Sequence, residues 1–264
     1  MSVPAHLVKQ LREQTGAGMM DCKRALEETE GDLEAAQKLL REKGMAAAGK
    51  RAEKETNEGK VLVRVEPDHG AIVAVGSESD FVAENEEFLS FARKALEVVE
   101  TDGPDALERI EPERLQLVAR IGENIVIRGA RRLDAENGEV LAGYVHPPAE
   151  KIGVLVRARA SAELARMVAM HISFADPRFL SREEVPAAEV ESERAIYEKL
   201  PDVASKPEEI RDKIVEGMLQ KRFYAESVLA DQRWIHDDSK TVGEALAEHG
   251  AEVREFVRYS LISK

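Results

Sequence analysis

Cysteine is nearly absent from this chain: Cys22 is the only one in 264 residues. One thiol cannot form a disulfide within the chain, so burial and hydrogen bonding have to stabilise the fold. No apolar run approaches the roughly 20 residues that cross a bilayer, and the N-terminal segment is charged where a signal peptide is apolar. No Asn-x-Ser/Thr acceptor occurs. These absences predict a cytoplasmic protein that makes no contact with a membrane.

Aromatic residues are also scarce, at 5%, whereas charged residues reach 34% and the net charge is −13. Binding to nucleic acid relies on clustered Lys and Arg that displace counterions, so this balance argues against a direct nucleic-acid partner. The 43% of hydrophobic residues is sufficient for cores built from aliphatic side chains. The composition therefore favours a helix-rich, heavily solvated protein.

Motifs for covalent chemistry are missing as well. Residues 44–51 approach a phosphate-binding loop, but Arg51 stands where Ser or Thr should hold magnesium, and a helix precedes the segment instead of a strand. The six histidines form no i,i+4 pair, and Cys22 lies on an apolar helix face typical of a core residue. We therefore expect no enzyme active site, no metal and no cofactor.

The N-terminal part predicts a small helical module. Three short apolar stripes are separated by glycines, and Asp32 is placed to cap the third helix, which should end at Gly44. Residues 44–59 contain no branched apolar side chain and form either a solvated extension of that helix or a mobile tether. Either way a domain boundary falls here, which gives an N-terminal module and linker over residues 1–54.

The rest of the chain predicts one α+β unit repeated twice. A hairpin, a helix, a second helix and a strand follow one another in residues 55–138 and again in 139–264. Aligning LVARIGENIVIRGARRL with ALAEHGAEVREFVRYSL places Gly122 opposite Gly250. The expected architecture is two related subdomains with antiparallel sheets.

The second unit carries a charged insertion at about 181–227. Its two helical runs are broken at Pro201 and Pro207, and each has a narrow apolar stripe. This pattern predicts an antiparallel coiled-coil hairpin that projects from the core. Ordinary globular helices are the alternative.

One loop breaks the alternation of strand and turn. Phe81 and Val82 follow the second strand at a corner, with Asp80 beside them. Asp80 could cap the next helix while Phe81 packs as a hydrophobic staple. Alternatively, Asp80 and Phe81 form a probe for a partner's groove. The pattern alone does not decide between these interpretations.

Four segments, in this order along nearly the whole chain, resemble bacterial elongation factor Ts. They are VKQLREQTGAGMMDCKRAL from Val8, SDFV from Ser79, RIGENIVIR from Arg120 and SKTVGEALAEHGAEV from Ser239. The resemblance implies a ubiquitin-associated (UBA)-like N-terminal module, two α+β subdomains and a coiled coil. It also implies a guanine nucleotide exchange factor that promotes GDP release during translation elongation, without covalent catalysis.

The implied partner is elongation factor Tu, in its GDP-bound and nucleotide-free forms. The residues that match the family's partner contacts are Lys23, Ser79, Asp80, Phe81, Val82, Ile121, Gly122, His146, Ile235 and His236. Ser79 replaces the threonine usual in this motif and keeps its hydroxyl. A scaffold that holds the same partner without releasing nucleotide is the rival function.

Overall fold

The computed structural model describes residues 3–262. The N-terminal helices are α1 (Ala5–Thr15), α2 (Met19–Glu28) and α3 (Leu33–Arg51). Asp32 caps α3, as predicted, because its carboxylate accepts the backbone N–H groups of Glu34 and Ala35. The helices share a buried cluster that includes Leu11, Leu26 and Cys22, so the thiol is a core residue.

The first half of the core follows the predicted order. Its elements are β1 (Glu58–Val65), β2 (His69–Ser77), the one-turn helix α4 (Asp80–Ala83), α5 (Glu86–Asp102), α6 (Glu111–Ile121) and β3 (Ile125–Asp134). A 3-10 helix spans Pro104–Ile110. The three strands pair antiparallel in the order β1-β2-β3.

The second half repeats this topology around an insertion. Its elements are β4 (Val140–Val145), β5 (Ile152–Arg159), α7 (Ala162–Ala175), the inserted helices α8 (Ala187–Glu198), α9 (Pro201–Ala204), α10 (Glu208–Met218) and α11 (Ala225–Ser227), then α12 (Val242–Glu248) and β6 (Glu252–Ser260). Short 3-10 helices cover Arg182–Glu184 and Leu229–Asp231, and a π-helix covers Leu219–Tyr224. The strands pair antiparallel in the order β4-β5-β6.

Three apolar clusters hold the core together. One lies between the first sheet and helices α5 and α6, and a second lies between the other sheet and helices α7 and α12. A third joins the two sheets through side chains such as Val61, Ile72 and Leu155. The core is therefore layered as helices, sheet, sheet and helices, an α+β arrangement with antiparallel sheets.

Helix α3 continues past Gly44 to Arg51, so its predicted end at Gly44 is wrong, and for residues 44–51 the alternative of a helix extension is confirmed over a mobile tether. The reason is its packing on α6. A Cβ on Gly44 would lie 3.0 Å from that of Ala119, so the missing side chain lets the two helices approach closely. Because this segment is helical, it also lacks the strand-to-helix turn of a phosphate-binding loop.

The insertion forms a helical hairpin. Helices α8 and α10 pack on each other, with Tyr197, Val203 and Val215 buried between them. An ion pair at 3.1 Å joins Arg194 to Glu216 across the pair. The breaks at Pro201 and Pro207 are confirmed, because each proline begins or immediately precedes a helix.

This hairpin is expected to open more easily than the sheets. Its buried cluster is small and contributes little apolar area to the rest of the core. Amide hydrogens of residues 183–226 should therefore exchange faster than those of the central-strand segments 71–75 and 152–156. Hydrogen exchange followed by mass spectrometry measures this directly. Equal protection of hairpin and sheets would show that they unfold as one unit.

Candidate partner-binding surface

The corner between β2 and α5 is organised by Ser79. Its backbone is extended (φ −122°, ψ 157°), and its Oγ accepts the N–H of Val82 at 3.4 Å, so Ser79 is the residue that caps α4. Asp80 is already the first helical residue, and its carboxylate accepts the N–H of Phe81 at 2.9 Å. The alternative in which Asp80 caps the next helix is therefore wrong, because Ser79 caps α4 and Asn85, which accepts the N–H groups of Glu87 and Phe88, caps α5.

Phe81 and Val82 lie on different sides of this corner. Val82 is buried against the cluster under α5, whereas 86% of Phe81 is exposed. The staple interpretation is therefore wrong, since a staple has to pack on its own helix. Val82 fills the inner position, and one step along a helical turn carries Phe81 to the outside. A fully presented phenyl ring is a typical anchor for a protein partner.

Glu123 braces the corner from a distant part of the chain. Its carboxylate accepts the Ser79 N–H at 3.0 Å and the Ser79 hydroxyl at 2.7 Å. Gly122 ends α6 in the left-handed region (φ 80°). The chain turns there, and the next residue, Glu123, contacts Ser79. The brace brings the segment of Ile121 and Gly122 beside the corner. The structure thus groups the SDFV residues with two further predicted contacts.

A second acidic side chain ties the corner to α3 and to β3. Glu78 accepts the backbone N–H of Asn124 at 2.6 Å and pairs with Arg51 at 3.1 Å. Burial acts to raise the pKa of Glu78, but the Asn124 N–H and the Arg51 guanidinium outweigh it and hold the pKa below its ordinary value. The charged carboxylate is therefore the form that stabilises the corner.

This pKa shift predicts a pH-dependent effect of Glu78→Gln. A lowered pKa stabilises the fold above the pKa of the unfolded state, and the contribution is lost as the pH falls through the folded pKa. The substitution should lower the thermal midpoint at pH 7 and have a diminishing effect below about pH 4. Circular dichroism melts between pH 7 and 3 measure the difference, with the exposed Glu86→Gln as control. A difference independent of pH would contradict the assignment.

Lys60 links this corner to the turn that carries His146. The Lys60 side chain is only 6% exposed, and its Nζ lies 2.7 Å from Glu84, just after α4, and 3.2 Å from Glu150. Burial acts to lower the pKa of Lys60, but the hydrogen bonds to the two carboxylates outweigh it and the pKa is raised. His146 is exposed on this turn, with its Nδ1 3.1 Å from the hydroxyl of Tyr144.

The remaining predicted contacts lie outside this hydrogen-bonded cluster. Lys23 is exposed on α2 and is 3.7 Å from Glu27. Ile235 is 41% exposed in the loop before α12. His236 is exposed beside it, with its Nε2 3.2 Å from the carbonyl oxygen of Met167 on α7. The predicted residues are therefore spread over the N-terminal helices and both sheet units.

Sequence reasoning missed the residues that hold this surface in place. Glu78, Glu123 and Lys60 act across long sequence separations, and only the position of Glu123 within the RIGENIVIR segment hinted at a function. Phe174, at the end of α7, is a further large apolar side chain left 80% exposed. The sequence did not mark Phe174 as a surface residue, because it follows the apolar stripe of α7 and reads as one more apolar residue of that helix.

Within residues 3–262, no group of three or more His, Cys, Asp or Glu side chains is arranged to hold a metal ion. Over the same range, every helix is too short or too polar to cross a bilayer.

The fold and the site together define a two-sheet α+β protein that presents an aromatic side chain on a braced corner. Residues 78–262 match the sequence model of the family described as Elongation factor TS. The chain is 41% identical to Elongation factor Ts of Idiomarina loihiensis over 99% of its length and 91% of the relative. The Shewanella amazonensis factor is 42% identical (98% and 90%), and that of Escherichia coli O139:H28 is 41% identical (98% and 91%). The chain belongs to the elongation factor Ts family, whose members are factors of protein biosynthesis.

Proposed function

We propose that this chain is a cytoplasmic guanine nucleotide exchange factor that binds elongation factor Tu and promotes GDP release during translation elongation. Membership of the family supports the partner and the process. The single structural observation that carries the proposal is the exposure of Phe81 on a corner fixed by Glu123. A rigid support allows the ring to enter a groove without a large loss of conformational entropy.

The proposed mechanism is thermodynamic coupling, with no bond made or broken by this protein. The exchange factor and GDP lower each other's affinity for elongation factor Tu by the same factor. Phe81 contributes about 1.5–3 kcal/mol if its ring is fully enclosed. That free energy, together with the wider interface, offsets the cost of disturbing the partner's magnesium and phosphate site.

The wider interface in this proposal extends over four regions. Around Phe81 the contact includes neighbours on the corner and at the end of α6, and more distant contacts come from the α2 helix, the 146–150 turn and the loop before α12. The residues are Lys23, Ser79, Asp80, Phe81, Val82, Ile121, Gly122, His146, Ile235 and His236. The three N-terminal helices act as a UBA-like module over residues 1–54, and the hairpin at about 181–227 as a coiled coil. The subdomain limits 55–138 and 139–264 remain predictions.

Stopped-flow release of fluorescent GDP from elongation factor Tu tests the function. We expect the release rate to rise with the concentration of this protein and to saturate. A pull-down on the same samples reports binding separately. Binding without faster release would support the scaffold function and exclude exchange activity.

A further inference from the structure

A fully buried histidine sits beneath the loop that carries Ile235 and His236. His171, on α7, lies with its Nε2 2.9 Å from Oε1 of Gln232, and its Nδ1 is 3.4 Å from the backbone nitrogen of Ile235. A backbone N–H can only donate, so Nδ1 is the acceptor and Nε2 carries the proton that it donates to Gln232. Burial lowers the pKa of His171, which keeps the ring neutral near pH 7.

Gln232 extends this link to two further segments. Its side-chain amide donates to the carbonyl oxygens of Ala175, at the end of α7, and of Glu226, where the hairpin returns to the core, at 3.0 and 2.7 Å. The side chain of Gln232 is buried, so these bonds replace water that cannot reach it. The side chains of His171 and Gln232 therefore both hydrogen-bond to the backbone of neighbouring segments.

Buried and exposed side chains alternate along the loop at residues 234 and 235. Trp234 is buried with its ring centroid 5.2 Å from that of His171, and Ile235 is turned outward. The ring of His236 then packs edge-on against Trp234 at 4.7 Å. The hydrogen bond from the Ile235 N–H to His171 thus lies at the point where the chain passes from the buried Trp234 to the exposed Ile235.

We propose that His171 and Gln232 are positioning residues that hold Ile235 and His236 in the conformation that contacts elongation factor Tu. This inference rests on the proposed exchange function and adds the residues that build its second contact. They touch neither partner nor nucleotide. Their effect should therefore appear in the concentration needed for exchange and not in the maximal rate, which depends on Phe81.

The two amide replacements of His171 separate its two hydrogen bonds. The amide of Asn reaches the place of Nδ1, and the amide of Gln reaches the place of Nε2. His171→Gln leaves the Ile235 N–H without an acceptor and should raise the half-saturating concentration for GDP release about tenfold, the usual effect of one lost buried hydrogen bond. His171→Asn keeps an acceptor for the Ile235 N–H but loses the bond to Gln232, so its value should lie between those of the wild type and His171→Gln.

A double-substitution cycle with Ile235→Ala distinguishes positioning from general loss of stability. If His171 acts through Ile235 and His236, then His171→Gln should add a smaller change in the Ile235→Ala background than in the wild type. Additive effects, or equal effects of Gln and Asn at position 171, would overturn the inference. Should His171→Gln fail to fold, Gln232→Met tests the same link from the other side, with the same criterion.

GDP release with the wild-type protein distinguishes a failure of the exchange function from a failure of the positioning role of His171. If the wild-type protein does not accelerate GDP release, the exchange function fails. If it does, and the cycle is additive, only the positioning of Ile235 by His171 is wrong.

Discussion

Phe81→Ala is expected to lower the maximal rate of GDP release about ten- to a hundredfold. Enclosing a phenyl ring gains roughly 1.5–3 kcal/mol, and about 1.4 kcal/mol corresponds to each factor of ten in rate. Because the ring is 86% exposed in the free protein, the thermal midpoint should hardly change. Stopped-flow release of fluorescent GDP and a thermal melt of the same preparation measure both quantities.

The matched control is the same chemical change at a buried position. Phe88 is fully buried under the first sheet, so Phe88→Ala should lower the free energy of unfolding by about 3–5 kcal/mol. The exchange activity per folded molecule of Phe88→Ala should stay near normal, since Phe81 is still present at the corner. If Phe81→Ala instead melted early and exchanged normally when folded, the ring would be a structural residue and the proposed mechanism would lose its main contact.

Local sequence signals were sufficient for most of the fold. The hairpin predicted to open residues 139–264 is observed as β4 and β5, because a proline pair separates two apolar runs. The capping signal at Asp32 was likewise local and is confirmed. The end of α3 was missed because Gly44 ordinarily stops a helix, and here its small size is used for contact with α6.

The site required information that no local pattern contains. A lysine in a strand is expected to face water, yet Lys60 is buried because Glu84 and Glu150 meet it from two loops. The brace between Ser79 and Glu123 also joins residues 44 positions apart. Periodicity could not decide whether Phe81 points inward or outward, because that depends on which side chains of α4 pack into the core, and these are Val82 and Ala83.

Gly153→Ala is expected to lower the free energy of unfolding by about 1–3 kcal/mol, the usual cost of overpacking a core. Gly153 lies on the central strand β5, and a Cβ there would be 2.4 Å from Cγ1 of Val61 on β1. The two sheets therefore meet so closely at this point that only glycine fits. Chemical denaturation measures the loss, which should lower the thermal midpoint by about 2–4 °C per kcal/mol.

Val61→Ala provides the decisive comparison for Gly153→Ala. Alone it should destabilise the protein by leaving a cavity, but it also removes the methyl group that the new Cβ meets. The double substitution should therefore cost less than the sum of the two single ones. Gly217→Ala is the control, because its Cβ would enter open space on helix α10, where alanine is favoured over glycine by about 1 kcal/mol. Additive costs at positions 61 and 153 would show that the two sheets tolerate a wider separation. In that case the contact between Val61 and Gly153 would not fix the first sheet, with the corner of Phe81, relative to the second sheet, with the turn of His146.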